Sequence, residues 1–133
     1  MTYQQYQSFL DAVNHCALAC QTVAEKQATE FSDCANLCRD CADLCWICTA
    51  TLMNRGPRFV ALMAQACADL ADACARECEK YSSDEHLQQC AIACEQVILE
   101  YRQIAGFLFL QEKSQASSQI SSSSLQFAGV QGN

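Results

Sequence analysis

Apolar residues recur along the first 113 positions in alternating steps of three and four, in four runs separated by short breaks. The first run, from about Tyr3 to Gln27, places Tyr6, Phe9, Val13, Cys16, Cys20 and Val23 on one face. Positions three and four apart stack on the same side of an α-helix, so this is the seam of a bundle helix. Thr2 and Gln5 offer a capping box at its start. A second helix is expected from Ser32 or Asp33 to just before Gly56-Pro57, with the glycine suited to a helix exit and the proline to the next first turn. Its seam is Cys34, Cys38, Cys41, Cys45, Cys48 and Leu52. The third helix, about Arg58 to Lys80, turns Val60, Met63, Cys67, Leu70, Cys74 and Cys78 inward. After a turn at Tyr81-Ser82-Ser83-Asp84, where Ser82 and Glu85 form a second capping box, the fourth runs from about Asp84 to Lys113. It carries Leu87, Cys90, Cys94, Val97, Tyr101, Ile104 and Leu108. Short connections between long helices make neighbours antiparallel, so the expected fold is all-α, an up-down four-helix bundle over residues 1–113. Residues 114–133 shift to Ser, Gln and Gly and read as an irregular tail, with Ile120, Leu125, Phe127 or Val130 available to dock on a neighbouring subunit.

Composition supports this outline and removes several functions. A chain of 133 residues with one proline and four glycines can build one helical domain with its own core. A net charge of −7 leaves no basic stripe for nucleic acid and disfavours an anionic membrane surface. The first residues lack a basic segment followed by an apolar one, and no apolar run is long enough to span a bilayer, so a cytosolic address is expected. No nucleophile–histidine–acid set or phosphate loop is present. Asp40, Asp43, Asp69, Asp72, Glu77 and Glu79 alternate with the thiols as solvated faces. The chain does not read as an enzyme.

Candidate chemistry is concentrated in sulfur. The twelve cysteines are Cys16, Cys20, Cys34, Cys38, Cys41, Cys45, Cys48, Cys67, Cys74, Cys78, Cys90 and Cys94. Five pairs lie four apart and two lie three apart, so the thiols form stripes on helices. Threading the bundle stacks them into a column roughly 20 Å tall at about 1.5 Å per residue. It opens toward the turns at 28–33 and 81–86. The other end is filled by Tyr6, Phe9, Leu10, Leu52, Phe59, Val60, Tyr101, Ile104 and Leu108.

Cysteine can serve as a small core hydrophobe, but valine, leucine and alanine pack as well without oxidising. Disulfides cannot close within the i,i+4 pairs, whose Cβ atoms lie about 5–6 Å apart, against the roughly 3.5–4.5 Å a disulfide needs. Soft thiolates favour Cu(I), Zn(II) or iron–sulfur clusters. The loop-borne runs typical of iron–sulfur proteins are absent. Three closed tetrahedral zinc sites would consume every thiolate and bury a charge of about −6. One Cu(I) per bridging thiolate leaves the core neutral, so charge and geometry favour copper(I). A zinc or mixed-metal buffer and a thiol redox sensor remain as alternatives.

The run from Cys34 through Cys38, Cys41 and Cys45 to Cys48 resembles the cysteine-rich four-helix-bundle copper storage proteins of bacteria. The stretches from Ala66 to Cys78 and from Cys90 to Cys94 repeat the pattern. The resemblance covers about residues 5–110. It implies a homotetramer of bundles, each storing many Cu(I) ions along its core, and the cytosolic branch of that family. Helix 4 departs from the richer members, since Val97, Tyr101 and Ile104 follow Cys94 where some relatives continue with cysteine. Capacity should therefore be reduced, on the order of 10–13 Cu(I) per chain at about one per thiolate. His86, near the helix 3–4 turn, is a candidate ligand at the mouth if it points inward; an exposed first-turn position is the other reading. Met63 can offer a thioether below the deepest thiols or simply fill the core. His15, adjacent to Cys16, points about 100° away from the seam.

Overall fold

The structure, a computed structural model, describes the backbone of residues 3–26, 32–81 and 83–127; side chains 3–5, 53 and 109–127 lie outside that description. Four helices follow one another: α1 (Tyr3–Lys26), α2 (Ser32–Thr51), α3 (Pro57–Glu79) and α4 (Glu85–Phe127), with a short 3-10 turn at Leu52–Asn54. Contacts run around a ring in which α1 packs on α2 and α4, and α3 packs on α4 and α2, the α2–α3 seam being the thinnest. The pairing of thiols gives the directions. Cys16 meets Cys94 while Cys20 meets Cys90, and Cys34 meets Cys78 while Cys38 meets Cys74. In both pairs one number rises as the other falls, so these neighbours are antiparallel and the bundle is up-down.

The seams follow the three–four pattern, with one shift of phase. Phe9, Val13, Val23, Val60, Leu87, Val97 and Leu108 are buried together with all twelve thiols. On α3, however, Ala64 and Ala71 are buried while Met63 and Leu70 are only half-buried at the edge of the core. Val60, Cys67, Cys74 and Cys78 fix the stripe, and stepping 60, 64, 67, 71, 74, 78 keeps it straight. Alanine at the intermediate steps lets α3 approach a centre already filled with sulfur. Met63 therefore lies beside the thiol column and does not close it from below.

The helix boundaries contain two further corrections. The α2–α3 connection does not use glycine as a helix exit. The chain leaves through the 3-10 turn, Arg55 is extended, and Gly56 is the N-cap of α3 at φ −68°, ψ 160°, with Pro57 opening the helix. No described residue has a positive φ. The α4 backbone also remains helical to Phe127, where an irregular tail was expected from residue 114. Neither glycine nor proline interrupts residues 107–127, and extending an existing helix is far easier than nucleating one. Of the proposed docking residues, the side chains of Ile120, Leu125 and Phe127 lie outside what is described, as do Val130 and the Thr2 and Ser82 caps altogether. In place of Ser82, the described cap of α4 is Asp84, whose Oδ1 accepts the Leu87 N–H at 3.0 Å.

Candidate metal centre

Every cysteine is free and at most 1 % exposed. Their sulfurs touch across helices as well as along them. Cys34–Cys78 and Cys38–Cys74 span α2 and α3 at 3.4 Å. Cys20–Cys90 at 3.5 Å and Cys16–Cys94 at 3.6 Å span α1 and α4, and Cys16–Cys41 at 3.9 Å joins α1 to α2. Cys38–Cys78 and Cys38–Cys90 contacts at 3.8 and 3.7 Å tie these rungs together. Deeper in, Cys45, Cys48 and Cys67 continue the buried thiols, Cys45 interacting electrostatically with Cys16, Cys41 and Cys67, and Cys48 with Cys67, while the Cys67 S–H donates to the Leu44 carbonyl at 3.8 Å. The buried thiols of α2 thus run from Cys34 to Cys48. That interval is fourteen residues of α2, or roughly 21 Å at 1.5 Å per residue.

Three sets of four thiols are compact enough to hold an ion: Cys16/Cys20/Cys41/Cys94, Cys20/Cys74/Cys90/Cys94 and Cys38/Cys74/Cys78/Cys90. Within each set the sulfurs lie within 4.8 Å of one another. The sets overlap, because Cys20 and Cys94 belong to the first two while Cys74 and Cys90 belong to the last two, so three sets draw on only eight sulfurs. Three separate closed tetrathiolate sites are therefore not available in these eight. The four shared sulfurs are placed to bridge. Cys34, Cys45, Cys48 and Cys67 extend the column at its two ends.

The electrostatics of the column come from burial and from thiol–thiol hydrogen bonds. Burial pushes the Cys34 thiol up. Cys48 is pushed up by its hydrogen bond with Cys67 and by burial, whereas Cys67, hydrogen-bonded by Cys45 and Cys48, is drawn down to about 5. Cys16 is similarly lowered by hydrogen bonds from Cys20, Cys41, Cys45 and Cys94. No polar or charged side chain is buried among the described residues, so no cation within the protein offsets a thiolate. Neutrality has to come from the bound ions.

The other sequence candidates stand outside this column. His86 is exposed in the first turn of α4 and His15 is exposed on α1, and neither belongs to a compact ligand set among the described residues. At the mouth, Val23 of α1 and Leu87 of α4 are fully buried beyond Cys20 and Cys90, opposite the Cys34–Cys78 pair. The column is consequently capped by two aliphatic side chains as well as by sulfur. Sequence reasoning read both residues as seam positions but not as a cap. The signal was there, since each lies one helical step beyond the last thiol of its helix. Trp46 lines a surface groove of about 370 Å³ between α1 and α2 with Gln21, Ala24, Glu25, Arg39, Ala42 and Asp43, away from the thiols.

A four-helix bundle whose centre is a continuous, neutral-ready array of thiols defines a class of soft-metal sequestering proteins. The sequence model of the copper storage protein family matches residues 2–106. The chain belongs to that family: it is a non-catalytic copper storage protein, and its cysteine-lined core is the store. No curated protein matches the chain, and no solved structure does. No helix among the described residues is long and apolar enough to cross a membrane.

Proposed function

We propose that the chain holds copper as one bridged thiolate array involving all twelve cysteines, on the order of 10–13 Cu(I) per chain at about one ion per thiolate. The observation that carries this reading is the overlap of the three ligand sets through Cys20, Cys94, Cys74 and Cys90. Shared sulfurs suit an ion of low coordination number bound by bridging thiolates. One Cu(I) per thiolate also cancels the charge in a core that has no buried cation of its own. Copper enters at the end marked by Cys34, Cys78, Val23 and Leu87. His86, exposed beside that end, is the outer ligand that first meets the ion, and Met63, half-buried beside the column, is an auxiliary thioether on its flank.

The free thiols fit a reducing compartment, and the cytosol is the proposed location. The working unit is a homotetramer. Leu18, Ile92 and Leu99 are exposed on α1 and α4, as are Ile47 and Leu62 on α2 and α3, which gives each bundle apolar surface on two sides. Anaerobic Cu(I) titration against a chromogenic competitor tests the store, and light scattering after size exclusion tests the tetramer. Saturation near the number of thiols supports the reading. Weak uptake, with reversible disulfides forming instead between pairs such as Cys34 and Cys78, would favour a redox sensor.

A further inference from the structure

The overlap of the ligand sets also determines what a divalent ion can do in this core. An ion that demands four thiolates of its own cannot use all three sets at once. The first set, Cys16/Cys20/Cys41/Cys94, and the third, Cys38/Cys74/Cys78/Cys90, have no member in common. The middle set, Cys20/Cys74/Cys90/Cys94, takes two sulfurs from each of them. We propose that the metal-free protein has a second binding mode, in which two tetrahedral divalent ions of the zinc class occupy the two outer sets and leave the middle one empty.

The spacing fits such ions. A Zn–S bond of about 2.3 Å gives a tetrahedral S···S edge of about 3.8 Å. Four of the six edges of the first set are 3.8 Å for Cys16–Cys20, 3.9 Å for Cys16–Cys41, 3.6 Å for Cys16–Cys94 and 3.9 Å for Cys20–Cys94, and the other two lie within 4.8 Å. Four of the six in the third are 3.4 Å for Cys38–Cys74, 3.8 Å for Cys38–Cys78, 3.7 Å for Cys38–Cys90 and 4.0 Å for Cys74–Cys90, the other two again within 4.8 Å. Binding releases the thiol protons to solvent, and no electron is transferred. Charge sets the rank of this mode. Each tetrathiolate site carries about −2, and no buried cation offsets it, so Cu(I), which neutralises the thiolates one for one, displaces the divalent ions. Zinc is thereby held only while copper is scarce.

The divalent mode uses the thiols of the copper store but does not depend on copper, and the two are tested separately. Co(II), added anaerobically to the full-length metal-free protein, is the probe, because tetrathiolate coordination gives it intense visible absorption. The expected endpoint is two Co(II) per chain, bleached by two equivalents of Zn(II) and by added Cu(I). Variants read the geometry. C41S and C78S each remove one outer set, so each should bind one ion. The double variant C41S/C78S leaves the middle set whole and should still bind one. C20S/C74S breaks all three sets and should bind none, although it too lacks only two thiols. Helix content by circular dichroism confirms that each variant is folded. An endpoint of zero or three in the parent protein overturns the proposal, as does equal Co(II) binding by the two folded double variants. Failure of Cu(I) uptake would instead overturn the copper reading.

Discussion

The two ends of this bundle are built from the same helices by the same three–four pattern, yet they do different work. Around Phe9, Leu52, Val60, Ile104 and Leu108 the seam is hydrocarbon, buried and chemically inert. From Val13 and Val97 toward the α1–α2 and α3–α4 connections it becomes sulfur, equally buried but able to ionise and bind metal. The difference shows how a fold separates stability from capacity. Bulky side chains at one end hold the helices together, which allows small, polarisable ones at the other to serve as ligands.

Substitutions at the two ends should therefore give opposite phenotypes. The largest stability effect is expected from Phe9→Ala. Removing a fully buried ring costs about 3–5 kcal/mol, read as a shift in the urea midpoint of the metal-free protein, with copper capacity unchanged wherever the variant is folded. Leu87→Ala opens the cap. It should cost about 2–5 kcal/mol and speed the transfer of copper to a chelator, while the final stoichiometry stays at the parent value. Cys38→Ser combined with Cys41→Ser should reverse the pattern, lowering capacity while the bundle remains folded. Each unpartnered buried hydroxyl costs about 1–3 kcal/mol.

A pH titration sharpens the contrast further. Cys34 and Cys48 have folded values raised above those of the unfolded chain, so each binds its proton more tightly when folded. Their contribution is fully present below the unfolded thiol value of about 8.5 and is lost as the pH rises through the raised values. The metal-free bundle should accordingly weaken in alkali, by urea denaturation, whereas Phe9 contributes equally at every pH. The smallest effect is expected at Asp84→Ala, which removes the α4 cap for about 0.5–2 kcal/mol and leaves capacity untouched.

Much of this division was legible in the sequence, because helical periodicity places thiols and apolar groups on the same face whatever the details of packing. The cysteine seam of α2 and the antiparallel order both follow from spacing and loop length alone. The phase of α3 did not, since Met63 and Ala64 are both apolar and only the crowding of sulfur from three neighbours favours the smaller residue. Gly56 illustrates another limit, because a glycine before a proline fits both a helix exit and an N-cap, and only backbone angles distinguish them. The end of α4 was misplaced for a related reason. A Ser/Gln-rich segment has no apolar pattern to mark it as helix, yet it contains nothing that terminates one already formed. For the metal centre, the depth of each thiol could be counted along the helices. Which sulfurs are shared depends on three-dimensional distances, and that sharing separates a bridged array from a set of closed sites.

Copper X-ray absorption on the fully loaded protein tests the bridged array most directly. The expected result is a sulfur-only coordination shell with a clear copper–copper scattering path, because Cys20, Cys74, Cys90 and Cys94 each belong to two overlapping ligand sets and in the proposed array would bridge ions. A shell of four sulfurs with no copper neighbour would show isolated sites and contradict the array.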